Sequence, residues 1–203
     1  MKNITIFLDE GHYNGCPGKR SPKFEDGSQF FEWEYCRELG KRIKAKCDDL
    51  GIKCIRTTNK QNQESLSERA EYINNLYRRE KKLGRSALMI SLHANAASSN
   101  GTWGSATGWE VFTTEGTTNS DKFAKILCKI FPTIFPDKKL RGHKESNFTI
   151  IYKTNCPCVL TENFFYDNKE ECLWMQQEET IEKIATLHVE AIKEWVNYDS
   201  NLK

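Results

Sequence analysis

Two histidines stand at the ends of stretches that are predicted to be buried strands. His12 comes soon after the apolar residues 4–8, and His93 comes directly after residues 87–92. A third apolar run ends on Glu162. Because the carboxyl ends of parallel strands meet at one edge of a sheet, where such folds bind their ligands, we expect these three side chains to lie close together. Imidazole and carboxylate groups are metal ligands, so the sequence predicts a metal site at this edge.

The third ligand is sought among carboxylates, because an open zinc site uses three protein ligands and leaves a fourth position to water. Glu32 is favoured because it lies in the first turn of a helix predicted over residues 31–50, where the helix dipole favours a negative charge. Glu34 lies about 200° further around the same helix, so only one of the two can face the site, and Glu34 remains the alternative. His143, in a segment predicted to be a loop beside the cleft, is a further candidate.

The composition limits the classes of protein to which the chain can belong. The chain has 203 residues and a formal net charge of +2, which is too small to indicate nucleic acid as a partner. No apolar stretch is long enough to span a bilayer, so no membrane partner is expected. We expect one catalytic domain over residues 1–197, acting as a monomer, and a flexible tail over residues 198–203.

Eight cysteines are many for a chain of this length, but none are spaced as Cys-x-x-Cys, which argues against a structural zinc knuckle. Most are expected to be reduced thiols that pack as small apolar side chains. Cys156 and Cys158 flank Pro157 close to Glu162, and two interpretations remain open for them. Packing before a buried strand is preferred, and metal binding is the alternative.

Segments typical of strands and of helices alternate along the chain. The predicted strands cover residues 4–8, 52–56, 87–92, 109–113, 148–152 and 158–162, and the predicted helices cover residues 31–50, 65–83, 119–131 and 169–196. Pro132 and Pro136 are expected to end the third helix, and residues 95–108 are expected to form a loop. This alternation predicts an α/β fold of a single domain, with a mostly parallel sheet of about six strands sandwiched by helices.

Four blocks of sequence resemble those of a known family, the type-3 family of zinc-dependent N-acetylmuramoyl-L-alanine amidases, which includes bacterial wall-remodelling enzymes and phage lysins. The blocks are residues 9–12 (DEGH), 32–37 (EWEYCR), 91–95 (SLHAN) and 159–168 (VLTENFFYDN). Each block alone is weak, but their order and spacing agree over nearly the whole chain. The resemblance implies that the zinc ligands are His12, Glu32 and His93 and that Glu162 is the catalytic glutamate. It therefore selects Glu32 over Glu34.

The resemblance also implies the reaction. The expected activity is zinc-dependent hydrolysis of the amide bond between N-acetylmuramic acid and L-alanine of the peptidoglycan stem peptide, with Glu162 as general base and then general acid. The residues expected to border the substrate groove are Arg69, Asn95, Trp103 and Glu110. A structural role is equally open for Arg69, which adjoins a Ser-x-x-Glu capping box, and for Glu110, which lies on a strand. For Trp103, a loop aromatic, packing is preferred and stacking on a sugar is the alternative.

Two other functions remain as alternatives: a zinc metallopeptidase that cuts within the stem peptide, and a wall-binding module without catalysis. The expected partner in every case is peptidoglycan. The first residues show no signal peptide, so the expected localisation is the cytoplasm until release to the periplasm or cell wall.

Overall fold

The computed structural model describes residues 3–58, 65–98 and 101–200. Its elements follow in the order β1 (Ile4–Glu10), α1 (Glu32–Asp49), β2 (Lys53–Arg56), α2 (Leu66–Lys82), β3 (Ser86–Asn95), β4 (Trp109–Thr113), α3 (Asn119–Ile134), β5 (Leu140–Glu145), α4 (Thr149–Tyr152), β6 (Cys158–Phe165), α5 (Lys169–Met175) and α6 (Glu178–Ser200). None of the helices in these residues is long and apolar enough to cross a bilayer.

The strands form one sheet in the order β2-β1-β3-β6-β4-β5. The first four run parallel to one another, whereas β4 is antiparallel to β6 and carries β5 parallel to itself at the edge. Side chains of β1 alternate between the two faces, so that Ile6 and Leu8 join the core under α1, α3 and α6 while Phe7 joins the core under α2 and α4. The prediction of a mostly parallel sheet sandwiched by helices is therefore confirmed.

Helix α1 carries the predicted metal ligand in its first turn and an apolar stripe behind it. Leu39, Ile43 and Cys47 recur at helical spacing and are all fully buried, as the sequence pattern requires. The backbone amide of Glu32 donates to the carbonyl of Lys19 at 3.1 Å, which fixes the start of the helix to the preceding loop. The buried stripe thus determines which way Glu32 faces.

Helix α2 begins with the predicted capping box. The Glu68 amide donates to Ser65 Oγ at 3.2 Å, and the Ser65 amide donates to Glu68 Oε2 at 2.8 Å. Two otherwise unpaired amides of the first turn are satisfied in this way. The cap fixes the register of the helix and with it the position of Arg69, which is buried.

Two segments differ in type from the prediction. Residues 148–152, predicted as a strand, form the short helix α4, because Ile150 and Ile151 pack side by side against the core under α2. Residues 140–145, predicted as a loop, form strand β5. An edge strand pairs on one side only, so the polar sequence LRGHKE is compatible with it and gives no apolar signal.

Several boundaries also differ, and strands β1, β3 and β6 extend to Glu10, Asn95 and Phe165, past their predicted ends. Helix α3 contains Pro132 and continues to Ile134 instead of ending at the proline. The long helix predicted over residues 169–196 is interrupted at residues 176–177 and becomes α5 and α6. The predicted tail begins inside α6, where the Tyr198 ring packs on Trp195 with centroids 5.5 Å apart.

Two predictions fall partly outside the described residues. They concern residues 201–203 of the tail and residues 99–100 of the predicted loop. The division of the chain into a catalytic domain and a tail stays a prediction.

A buried imidazole on α6 ties this helix to the sheet. His188 Nδ1 lies 2.8 Å from the carbonyl of Ile184, and Nε2 lies 3.1 Å from Thr161 Oγ1 on β6. The pairing fits a neutral ring that donates from Nδ1 and accepts at Nε2. Burial lowers the pKa of His188 to about 4.

We expect His188 to make the free energy of unfolding depend on pH. Between about pH 6.5 and pH 4 the imidazole binds a proton in the unfolded chain but not in the folded one, so the free energy of unfolding falls as the pH falls. The loss over this window is about 3 kcal/mol, since each unit of pKa shift is worth about 1.4 kcal/mol. Urea unfolding at pH 7, 5.5 and 4 should show a shallower pH dependence for His188→Gln than for the unchanged protein. Equal slopes would contradict the assignment.

Candidate metal centre

Three side chains from three elements meet at the carboxyl end of the parallel strands. His12 follows β1, Glu32 opens α1, and His93 lies near the end of β3. His93 Nδ1 lies 3.2 Å from His12 Nε2 and 3.1 Å from Glu32 Oε1, and His12 Nε2 lies 3.1 Å from Glu32 Oε2. The ligand atoms of the triad all lie within 4.8 Å of one another, as a shared metal ion would require.

The geometry of this triad fits a tetrahedral ion. Bonds of about 2.0–2.1 Å to such an ion separate its ligand atoms by about 3.3 Å. The two imidazole nitrogens lie about this far from each other, and each lies about this far from one of the two Glu32 oxygens. Glu32 is buried, and within the described part of the chain its Oε2 faces only His12 Nε2, at 3.1 Å. A buried carboxylate is costly unless donors or a cation face it. The residues present therefore fit a divalent metal with nitrogen and oxygen ligands.

Electrostatics favour the ligating protonation states. Burial raises the pKa of Glu32, but hydrogen bonds and charges from His12 and His93 outweigh burial and lower it to about 2. Burial lowers the pKa of His12, and the neighbouring Glu32 offsets part of this effect. The centre thus combines an ionised carboxylate with an imidazole that resists protonation, which is the form that binds a metal.

A glycine permits the two histidines to approach each other. A Cβ atom on Gly11 would lie 2.6 Å from Cε1 and 2.7 Å from Nδ1 of the His93 ring, closer than real contacts allow. The next residue, His12, has a φ of 61°, in the left-handed region that side chains other than glycine seldom adopt. The turn after β1 therefore needs support from its surroundings.

Arg37 on α1 supplies that support. Its guanidinium donates to the carbonyl of His12 at 2.8 Å and to the carbonyl of Gly11 at 3.1 Å. The same helix that contributes Glu32 therefore holds the turn that contributes His12. Sequence reasoning missed this residue, because an arginine that binds main-chain carbonyls leaves no pattern in the side-chain types.

Asp9 links three elements beneath the turn. Its Oδ1 accepts hydrogen bonds from Arg69 Nε at 2.9 Å and Nη2 at 2.7 Å, and its Oδ2 accepts one from Ser91 Oγ at 2.6 Å. The carboxylate thus joins β1 to α2 and to β3. Arg69, predicted to border the substrate groove, is a buried partner of Asp9 in the structure.

Glu162 stands beside the triad on β6. It pairs in register with His93 of β3, and its Oε2 is buried without a hydrogen bond in the described residues. Burial, followed by the charge of Glu32, raises the pKa of Glu162 well above its ordinary value, and Lys19 offsets part of this. Burial favours the neutral form of a carboxyl group in this setting, and the group can exchange a proton at the centre.

A side chain on β6 holds the backbone carbonyl of His93 in place. Asn163 Nδ2 donates to it at 2.9 Å, and Asn163 Oδ1 accepts from Trp109 Nε1 at 2.9 Å. The register between β3 and β6 shifts just beyond His93. Asn163 is thus a positioning residue that the sequence analysis did not single out.

The remaining predicted groove residues lie in two places. Asn95 Nδ2 donates to Glu110 Oε1 at 2.7 Å, so these two are neighbours, and Glu110 is buried. Trp103 packs on Phe24 with ring centroids 4.9 Å apart. The structure therefore brings together only Asn95 and Glu110 of the four.

The alternative ligands stand elsewhere. Glu34 is exposed on α1. His143 lies on β5, where its Nε2 is 2.7 Å from Thr113 Oγ1. Cys156 and Cys158 are buried in the core under α2 and α4, which fits the packing interpretation. All eight cysteines are free thiols.

The fold and site can now be compared with known proteins. The family model for N-acetylmuramoyl-L-alanine amidase (Amidase_3) matches residues 6–194, and the chain belongs to this family. A solved N-acetylmuramoyl-L-alanine amidase from Clostridium difficile 630 superposes with a TM-score of 0.81 at 22% identity, covering 97% of this chain and 98% of that one. At this identity the likeness establishes the fold.

Two relatives illustrate the similarity in sequence. The endolysin of Bacillus phage SPP1 is 28% identical over 124 residues, which are 59% of this chain and 44% of the endolysin. The amidase LytC of Bacillus subtilis (strain 168) is 27% identical over 174 residues, which are 85% of this chain and 32% of LytC. The chain thus spans less than half the length of these relatives.

We expect Gly11→Ala to disable the metal centre and to strain the adjoining backbone, because a Cβ on Gly11 would also lie 2.8 Å from the carbonyl oxygen of Leu92. The added methyl group displaces the His93 ring, so zinc affinity measured by competition with a chelating dye should fall at least tenfold. Gly104→Ala is the matched control, because a Cβ there meets Asp167 Oδ2 at an ordinary 3.7 Å. Unchanged zinc affinity in Gly11→Ala would contradict the proposed packing of the ligands.

Proposed function

We propose that this chain is a zinc-dependent N-acetylmuramoyl-L-alanine amidase, which hydrolyses the amide bond between N-acetylmuramic acid and L-alanine of the peptidoglycan stem peptide. The observation that carries the proposal is the cluster of His12, Glu32 and His93 with Glu162 beside it, in a chain of this family. Its partner is peptidoglycan, and it acts as a monomer at the cell wall after leaving the cytoplasm.

His12, Glu32 and His93 would hold the zinc ion, since two imidazole nitrogens and one carboxylate are a donor set that catalytic zinc sites use. When bound there, zinc supplies a water of lowered pKa and polarises the carbonyl of the scissile amide. The spacing of the two imidazole nitrogens and the burial of the Glu32 carboxylate beside them support this assignment.

Glu162 is the proposed catalytic residue. Amide hydrolysis requires that a proton leave the attacking water and that a proton reach the departing amine. A single carboxyl group between the two can do both, first as base and then as acid. Burial raises the pKa of Glu162, which favours holding the proton between the two steps.

Arg37, Asp9 and Asn163 are the proposed positioning residues. Arg37 holds the His12 turn, Asp9 joins the strands beneath it, and Asn163 holds the backbone of His93. Such support keeps metal ligands oriented before substrate arrives.

Contacts of the substrate with Asn95, Glu110, Trp103 and Arg69 stay predictions. The side chain of Arg69 already donates from Nε and Nη2 to Asp9, so a contact with substrate would have to use Nη1. Asn95 and Glu110, which lie next to the catalytic strand, are the stronger pair.

The bond that is cut can be identified directly. Digestion of purified peptidoglycan should release intact stem peptides that begin with free L-alanine, and a zinc chelator should abolish the release. Mass spectrometry of the fragments measures this. Peptides cut internally would instead indicate an endopeptidase on the same centre, and zinc binding without any release would indicate a wall-binding module.

The roles of ligand and base can be separated by substitution. Glu162→Ala should keep about one zinc per chain but lose about 10²-fold or more in kcat, the usual contribution of a general acid–base. His93→Ala should lose the metal itself, as elemental analysis would show.

Glu34→Ala is the matched control for these variants, because Glu34 lies exposed on the helix that carries Glu32. It should keep both zinc and activity. A Glu162→Ala variant with near-full turnover would refute the assignment of the base, and loss of zinc in Glu34→Ala would refute the choice of Glu32.

A further inference from the structure

A charged cluster lies on the strands beyond Glu162, and the hydrolysis described above does not use it. The buried carboxylate of Glu110 accepts from Arg141 Nε at 2.6 Å and from Lys144 Nζ at 2.5 Å, both at Oε2. Its other oxygen accepts from Asn95. Burial raises the pKa of Glu110, but the two cations outweigh burial and lower it, so Glu110 stays ionised.

A β-bulge brings the two cations to one face of the sheet. Residues three apart on a regular strand point to opposite faces. In β5 the register with β4 skips Arg141, since Trp109 pairs with Leu140 and Glu110 with Gly142. Gly142 has a φ of 88°, which a glycine adopts readily. Bulges of this kind redirect side chains and are frequent next to active sites.

The cluster carries more positive charge than is required to neutralise Glu110. Two cations share one carboxylate, so Glu110, Arg141 and Lys144 together carry a net charge of +1; Arg141 also donates from Nη1 to the carbonyl oxygen of Thr107 at 3.4 Å. The side chain of Lys144 is 40% exposed and that of Arg141 is 27% exposed, whereas that of Glu110 is 4% exposed. The cations therefore face solvent above a buried anion that holds them in place, and an anion from solvent can reach them.

The register of the strands fixes where this positive surface lies. Glu110 stands directly opposite Glu162, and Gly142 stands directly opposite Glu110. Directly paired residues point to the same face, and neighbouring strands are about 4.8 Å apart, so the cations start about 10 Å from Glu162 along the sheet. A carboxylate on the second residue of an extended peptide lies about 7 Å from the first nitrogen. Long cationic side chains span the remainder.

We propose that Arg141 and Lys144 bind a carboxylate of the stem peptide, on the residue that follows the alanine, and thereby select substrates whose carboxylate is free rather than amidated. This inference rests on the proposed function and adds the recognition of the peptide to it. Arg141 and Lys144 are specificity residues, and Glu110 with Asn95 positions them.

Two synthetic muramoyl dipeptides test the proposal. They differ only in whether the residue after alanine carries a free α-carboxylate or its primary amide. The zinc-loaded protein should hydrolyse the free acid with a kcat/KM at least tenfold higher than that of the amide, because a hydrogen bond between charged groups is worth more than a neutral one. The difference should lie mainly in KM.

Substitutions test which side chains are responsible for the preference for the free acid over the amide. Lys144→Met and Arg141→Gln should each raise KM for the acid about tenfold and so remove most of the preference for the acid over the amide. Lys139→Gln is the matched control, because it removes one exposed positive charge just before β5, and it should retain the full preference. If the two cations served only to neutralise Glu110, both substrates would be affected equally, which would overturn the proposal.

A binding measurement separates this inference from the proposed function. Calorimetric titration with the two alanyl dipeptides, one with the free carboxylate and one with the amide, requires no turnover. Hydrolysis of both muramoyl substrates at equal rates would overturn the carboxylate site while leaving the amidase activity intact. Tighter binding of the free acid, lost in Lys144→Met, would support the site even if neither muramoyl substrate were cut. Equal binding without hydrolysis would overturn both.

Discussion

The buried carboxylate of Glu32 between two imidazoles is the interaction on which the rest of the site depends. An ionised carboxylate removed from water costs several kcal/mol unless cations or donors compensate it. Here the compensation comes from side chains at the ends of β1 and β3, which are adjacent strands in the sheet. The start of α1 is thus confined to one place relative to the sheet. The apolar stripe of α1 leads to the same position independently, so core packing and site electrostatics agree.

This constraint explains the unusual backbone around His12. The left-handed conformation of His12 costs about 1–3 kcal/mol, as residues in sparsely populated regions do. Arg37 offsets part of the cost by donating to two carbonyls of the turn. Because Arg37 and Glu32 share one helix, any shift of α1 would disturb both the ligand and the support of its neighbour. The metal centre is therefore as rigid as the packing of α1 against the sheet.

The sequence was informative where a residue's type and its position on a predicted helix or strand both indicated the same role. His12, His93 and Glu162 could be predicted as neighbours because parallel strands end at one edge, and Glu32 could be favoured because a first turn suits a carboxylate. Arg37 and Asn163 could not, since their partners are main-chain carbonyls. Strand β5 could not be predicted either, because this polar edge strand has no apolar run. Ile150 and Ile151, by contrast, suggested a strand, but a helical turn buries them.

The two halves of the sheet also differ in how far their site residues could be predicted from the sequence. The parallel strands supply the proposed metal ligands and base, whose positions follow from a general property of such sheets. The edge pair β4 and β5, which runs antiparallel to β6, supplies Glu110, Arg141 and Lys144, whose common face depends on one bulge next to Gly142. The bulge lies at the edge of the sheet, where such features redirect side chains. The proposed chemistry therefore lies on the part of the fold that packing fixes most strongly, and the proposed recognition lies on an edge pair whose geometry one bulge sets.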